Sequence, residues 1–496
     1  MAGSYVLRGR VPRRALIGLL VLVAAAGGIA IALTAGGGRK LVPGAGNRSG
    51  TFDPLAYSPE REAQLVRDAT AGESHVIYAK SPGGVVATAR RTARWRPLVE
   101  RAAGAAGIDP DELEGMVFLE SAGRPSVIAG SDPADAAGLA QILAETGRNL
   151  LGMHVTLAAS RRLTKKIARA AAGTRLRRLQ RARRRVDQRF DPGSALAAAA
   201  HYLTIARRRF GREDLAVTSY HMGIGNLENV LRDYSGKGAG TPIAQLVREE
   251  GLSYARVYFD SSPLHHAAAS NLLSRLGDDS SDYYWKVLGA EQIMRLYRTN
   301  RTRLERLSRL QNARASAEEV LHPEGSTRIH ASPASIAADV ATGRLVALPD
   351  NPRRYAFRVD PLLGQFARRL REPRALYRHL RPEALGLLVY MAAGVRSIAG
   401  GGAPLAVTSA VRDERYQRLV AAANIEATHG YSLHTTGFTF DIRRAYSSHR
   451  QALAFQFMLD RLQALNLIAW VREPQAIHVT VSSAARVLEP LIESVH

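Results

Sequence analysis

The apolar residues of this 496-residue chain change their spacing part-way along, and that change limits what the chain can fold into. From residue 93 to about 322 they recur every three or four positions, the period of amphipathic helices, as in Leu304, Leu307 and Leu310. After about residue 345, helical stretches alternate with short runs of β type: LAVTSAV (405–411), GFTFDI (437–442), IAWVRE (468–473) and AIHVTV (476–481). A helical body followed by an α+β body is the architecture expected from such a pattern. HPEGSTRIHASP (322–333) has the Pro, Gly and Ser of a boundary, and residues 41–92 read as a linker with a few ordered pieces. The expected division is a tip and anchor at 1–40, the linker at 41–92 and a helical domain at 93–235 with a basic insertion at 155–190. A helical extension and linker at 236–333 and an α+β domain at 334–496 complete it.

The N-terminus bears on the compartment. Arg8, Arg10, Arg13 and Arg14 precede an uncharged run over residues 15–38. Twenty apolar residues are enough to cross a bilayer, and flanking arginines stay on the cytoplasmic side. The expectation is a single-pass transmembrane helix with the remaining domains extracytoplasmic. Cleavage after the small residues of ALTA, releasing a secreted protein, is the competing reading. The formal net charge of +24 favours an anionic partner. An extracytoplasmic body argues against that partner being nucleic acid. The chain has no cysteine, which excludes disulfides, thiolate metal sites, a cysteine nucleophile and a lipid-modified N-terminal cysteine.

DPDELEGMVFLES (109–121) begins with helix-starting chemistry: Asp109 as N-cap, Pro110 at the first position and Glu112 to complete a capping box. Leu113, Met116, Val117 and Glu120 fall on one face, so Glu120 shares the apolar side of its own helix. A carboxyl placed there loses solvation and its pKa rises, as a general acid requires. The alternative is a boundary glutamate paired with one of the many arginines.

Downstream stand GLAQI (138–142), SALAAAAHYL (194–203) and VTSYHMGIGN (217–226). In this order the motifs resemble the soluble lytic transglycosylases, over about residues 93–230. Glu120 and Ser121 match that family's catalytic Glu-Ser. Gly138, Leu139, Gln141 and Ile142 match its turn, with Ala140 where methionine is usual. Tyr202 and Leu203 match its helix, and Tyr220 matches the aromatic residue beside the acid, while His221 stands in the usual asparagine place. The resemblance implies a lysozyme-like helical fold, with Glu120 catalytic and Ser121, Gln141 and Tyr220 at the substrate. It implies cleavage of peptidoglycan between N-acetylmuramic acid and N-acetylglucosamine to 1,6-anhydro ends, with no cofactor. A hydrolytic muramidase is the alternative, and it needs a second acid, for which Asp132 and Asp135 are the candidates.

The insertion SRRLTKKIARAAAGTRLRRLQRARRRVDQRF (160–190) matches nothing in that family. Leu176, Leu179, Val186 and Phe190 recur at helical spacing among arginines. It reads either as the solvated face of a helical hairpin or as a clamp for anionic wall polymers or lipid headgroups.

In SLHTTGFTFDI (432–442) the strand alternation puts Phe438 and Phe440 on one face and Thr439 and Asp441 on the other. His434 and Asp441, joined by His478 from AIHVTV, make a His-Asp-His set suited to catalytic zinc. Ser432, His434, Gly437 and Asp441 also resemble the first motif of the zinc D-alanyl-D-alanine carboxypeptidase and dipeptidase family, with Thr439 in its alanine position. His478 matches the family's later ligand and Arg412 its substrate-facing arginine, and the resemblance covers about residues 345–490. It implies a zinc peptidase acting on stem peptides. One position departs: Gln475 stands where the family has its catalytic glutamate. In a hairpin with Pro474 and Gln475 at its tip, Glu473 lies on the face of His478 and is the candidate base. The alternative is a non-catalytic peptidoglycan-binding module.

Overall fold

Asp109 starts the helix Pro110–Ser121 by accepting from the Asp111 amide, and Ala122 ends it in the left-handed conformation at φ 53°. These are the described features of a computed structural model covering residues 39–492. The helix is not amphipathic as expected. Residues 112–118 are all buried, because Val85–Ala93, Arg96–Ala106 and Tyr283–Thr299 pack around it. Glu112 is therefore not the reciprocal half of a capping box. It is buried beside Glu213 and Glu291, and desolvation first, then these acids, push its carboxyl up to about 9.

The helical lobe draws on more chain than expected. Residues 41–92 hold the helices Glu62–Gly72, His75–Lys80 and Val85–Ala93, whose Leu65, Ile77 and Val85 are buried. These few large apolar residues outweigh the Gly, Ser and Pro content that suggested a linker. From the other side, Tyr283–Thr299 lies along Pro110–Ser121, so part of the 236–333 extension belongs to the same core.

The second lobe is a five-stranded sheet with helices: β1 (Phe357–Val359), β2 (Leu405–Ser409), β3 (Thr439–Arg443), β4 (Ile468–Arg472) and β5 (Ala476–Val481). Their order is β1-β2-β3-β5-β4, with β1 and β2 parallel and the other pairs antiparallel. Phe440, Ile442, Ile477 and Val479 form a dry face, while Asp441 pairs directly with His478 on the other. The helices Pro382–Ala399 and His449–Ala464 pack on each other and on the sheet. The segment 322–333, expected as a boundary, is fastened to this lobe: His330 N donates to Thr435 O, and the His322 ring bonds Val481 O at 2.6 Å.

The lobes meet through Glu62–Gly72 against His449–Ala464. Arg461 donates to the carbonyls of Tyr258, Phe259 and Ser261 at 2.9, 2.6 and 2.7 Å.

The expected transmembrane helix and single-pass localisation are corrected. Among the described residues no helix is long and apolar enough to cross a membrane. The run 15–38, on which the expectation rested, lies outside the described residues.

Candidate active site and candidate metal centre

Glu120 sits at the C-terminal end of its helix, on the wall of a cavity of about 280 Å³. Desolvation raises its carboxyl to about 7, and a hydrogen bond from Tyr283 Oη, 2.7 Å from Oε1, opposes that rise. Tyr283 was not singled out from the sequence. It begins the helix Tyr283–Thr299, and its ring stacks on His221 and Tyr220 at 5.2 and 6.4 Å.

Tyr220 stands beside the acid and also holds the turn opposite, donating from Oη to Ala140 O at 2.7 Å. In that turn Gln141 adopts φ 46°, and its amide donates to Gly138 O at 2.8 Å, so the side chain shapes the turn rather than reaching outward. Gly138, at φ 82°, has no room for a side chain: a Cβ would lie 1.7 Å from Arg189 O. Ser121 lines the cavity but is buried, with its hydroxyl donating to Val117 O at 3.2 Å. His221 bonds Ser280 Oγ at 3.1 Å, and burial lowers its pKa, favouring the neutral ring.

The acids considered for hydrolysis lie elsewhere. Asp132 is bound by Arg161 Nε at 2.8 and 2.9 Å, and neither Asp132 nor Asp135 lines the cavity around Glu120. Among the described residues the other carboxylate of that wall is Asp279, 3.2 Å from Lys286 Nζ.

In the sheet lobe, His434 sits on the 3₁₀ turn Leu433–Thr436. Gly437 ends this turn at φ 80°, where a Cβ would strike the Leu345 side chain at 2.7 Å. The turn presents the His434 ring to β3: Nδ1 bonds Ala410 O at 2.9 Å and Nε2 lies 3.2 Å from Asp441 Oδ2. His478 Nδ1 lies 2.8 Å from Asp441 Oδ1. His434, Asp441 and His478 each offer one ligand atom, and these atoms lie within 4.8 Å of one another.

The outer ring nitrogens are already taken. Ala410 O takes His434 Nδ1, and Glu318 Oε1 takes His478 Nε2 at 2.9 Å, which leaves His434 Nε2 and His478 Nδ1 turned inward. Such outer partners fix tautomers and aim metal-ligating histidines. Glu318 was missed in the sequence. It lies on the short helix Glu318–Leu321, is buried, and also accepts from Thr480 Oγ1 at 2.6 Å. Its only sequence signal is a Glu-Glu pair followed directly by apolar Val320 and Leu321. Burial disfavours charge on His478, yet the bonds to Asp441 and Glu318 outweigh it and push the ring up to about 10. Burial, then the Arg412 charge, push His434 down to about 4. Two buried carboxylates around two imidazoles thus call for positive charge at this point, and the donor set fits a zinc ion.

Arg412 converges on the same place. Its Nη2 lies 3.4 Å from Asp441 Oδ2, and its other bonds go to Ser409 Oγ and Gln417 Oε1. Arg412 and Asp441 share the wall of a cavity of about 230 Å³ that also includes Phe366, Tyr377 and Tyr416. β4 and β5 pair Val471 with His478, and Glu473 N donates to Ala476 O, the register read from the sequence. Glu473 pairs with no arginine among the described residues. Arg472 instead bonds Gln456 at 2.7 Å. Burial first, then the charge of Asp441, raise the Glu473 carboxyl, and His478, Arg412 and Glu318 act on it as well. Gln475 is exposed at the hairpin tip.

One further His/Asp group occurs among the described residues: Asp260, His265 and His266. Tyr234 Oη already donates to Asp260, and Arg48, Arg256 and Arg461 surround the group with positive charge, which disfavours a cation there.

Residues 97–240 match the family model described as the Transglycosylase SLT domain. The matched stretch contains Glu120, the Gly138–Ile142 turn, Tyr202 and Tyr220, and it ends before Tyr283. No curated protein matches the chain.

Proposed function

We propose that the helical lobe cleaves the glycan strand of peptidoglycan without consuming water. The observation that carries this reading is one enclosed acid, Glu120, in a stretch that matches the transglycosylase SLT domain, with no unpaired second carboxylate on its cavity wall among the described residues. With its pKa near 7, Glu120 is protonated often enough to give its proton to the glycosidic oxygen. The C–O bond to the leaving sugar breaks. The carboxylate then takes the proton of the muramic-acid 6-hydroxyl as that oxygen closes on the anomeric carbon, so proton and atoms balance in a 1,6-anhydro product. Tyr283 orients the carboxyl through Oε1 and eases its passage through the ionised state. Mass analysis of digested peptidoglycan tests the assignment. Anhydro ends that disappear in Glu120→Gln support it, and reducing ends from the wild type overturn it.

The second lobe supports a second reading, carried by the convergence of His434, Asp441, His478 and Arg412. It is a zinc-dependent peptidase acting on stem peptides of the same polymer. His434, Asp441 and His478 would hold the ion, which supplies Lewis acidity when bound. Arg412 offers its guanidinium to a peptide carboxylate or carbonyl, and Glu473, raised and paired with no arginine among the described residues, takes the proton of the attacking water. A stem peptide ending in D-Ala-D-Ala separates this from a non-catalytic binding module: release of D-alanine with about one zinc per chain supports the enzyme, and binding without turnover supports the module.

A further inference from the structure

The helices Leu157–Ala168 and Thr174–Val186 form a hairpin whose residues 157–186 include ten arginines, two lysines and no acid. A few basic groups at its base serve the fold. Arg189 and Asp187, both fully buried, form an ion pair at 2.8 Å, and Arg189 also donates to Asp135 O and Ile142 O behind the Gly138 turn. Arg183 is buried over the Phe190 ring at 3.6 Å, and Arg161 binds Asp132. The hairpin is thus clasped to the 132–142 loop, whose Ala140 carbonyl Tyr220 holds.

Seven further cations point away from the fold. Arg162, Lys166 and Arg169 form a row at i, i+4 and i+7 on the first helix. Arg175, Arg178, Arg181 and Arg185 form a row at i, i+3, i+6 and i+10 on the second. All seven are exposed, and among the described residues none makes an ion pair. Neighbours in such a row stand about 5–6 Å apart, where like charges disfavour the helix that carries them. A partner that supplies a negative charge at each step relieves that repulsion. The apolar residues of the hairpin do not offer a bilayer face: Leu163, Ile167, Leu176 and Leu179 are all partly buried, and none is exposed. Membrane-surface helices need an exposed apolar side. Stem-peptide carboxylates branch from the glycan only once per disaccharide, whereas a linear phosphodiester chain carries a charge at every short repeat.

We propose that the two rows bind a linear phosphodiester polymer of the cell wall and so hold the protein beside its substrate. Placing that polymer at the wall rests on the glycan-cleaving reading, while the binding itself does not. The test measures the affinity of the full chain for synthetic poly(glycerol phosphate) over a salt series. Phosphatidylglycerol vesicles and duplex DNA are compared at equal phosphate. The variant replaces Arg175, Arg178, Arg181 and Arg185 by Gln. Each lost cation removes about 0.7 from the slope of log affinity against log salt, so the variant's slope falls by about 3 and its affinity by at least about tenfold. The variant's cleavage of short soluble glycans stays at the wild-type level. A wild-type slope near zero, an unchanged variant, or tighter binding to vesicles or DNA than to the polymer overturns the proposal. If the quadruple variant unfolds, Arg162→Gln with Lys166→Gln and Arg169→Gln gives the same readout. Loss of glycan cleavage in wild type and variant alike overturns the catalytic reading and leaves the binding result standing.

Discussion

Tyr283 Oη lies 2.7 Å from Glu120 Oε1, although 163 residues separate them in the chain. The bond joins the acid of the matched stretch to a helix beyond its end, and it opposes the rise in pKa that desolvation gives that acid.

In the proposed mechanism, glycan cleavage needs Glu120 protonated in the resting enzyme. With the carboxyl raised to about 7, kcat/KM falls about tenfold per pH unit above that value. A pH–rate profile on purified peptidoglycan checks this, and Glu120→Gln lowers the rate by roughly 10²–10⁴-fold below pH 7 and removes the falling limb.

The same shift links stability to pH. Between 4.5, the ordinary value, and about 7 the folded protein binds more protons than the unfolded chain, so stability falls as pH rises through that window. At about 1.36 kcal/mol per unit, the ionised carboxylate above pH 7 costs at most about 3 kcal/mol. Glu120→Gln therefore melts above the wild type at pH 8, and the difference shrinks towards pH 4.5. Equal melting differences at both pH values would contradict the enclosed acid.

Tyr283→Phe removes a bond that favours the carboxylate, so the falling limb of the rate profile moves to higher pH. A hydrogen bond to a charged group contributes about 1.5–3 kcal/mol, and the maximal rate drops by roughly tenfold or more. A lower rate with an unmoved limb would leave Tyr283 a packing residue only.

Glu318→Gln takes from His478 the carboxylate that aims it. Zinc affinity, measured by calorimetry, falls by roughly 10–100-fold, while glycan cleavage is unchanged. Chelators likewise leave glycan cleavage intact, since among the described residues Glu120 belongs to no cluster of metal-ligating side chains.

Glu473→Gln retains zinc and loses D-alanine release by roughly 10²–10⁴-fold. Turnover surviving in this variant would remove Glu473 from the chemistry and reopen the question that Gln475 poses.

Local spacing in the sequence already set out the cap of the Glu120 helix at Asp109 and Pro110, and the alternation that turns Asp441 from the Phe440 side. The hairpin register that places Val471 opposite His478 was equally legible. These features depend on backbone period and turn geometry, which neighbouring residues dictate. The capping box at Glu112 misread a position that packing had claimed from three sides.

Tyr283 carried no local signal and Glu318 only its place before two apolar residues, because each acts on a group that the chain brings near only after folding. Glu318 precedes its histidine by 160 residues and completes an orientation that β5 alone leaves open. The sequence by itself determined which side chains have the chemistry to donate a proton or ligate a metal. Tertiary structure decided which of them are desolvated, aimed and paired, since burial and charge depend on every element that packs against a site and not on the one that carries it.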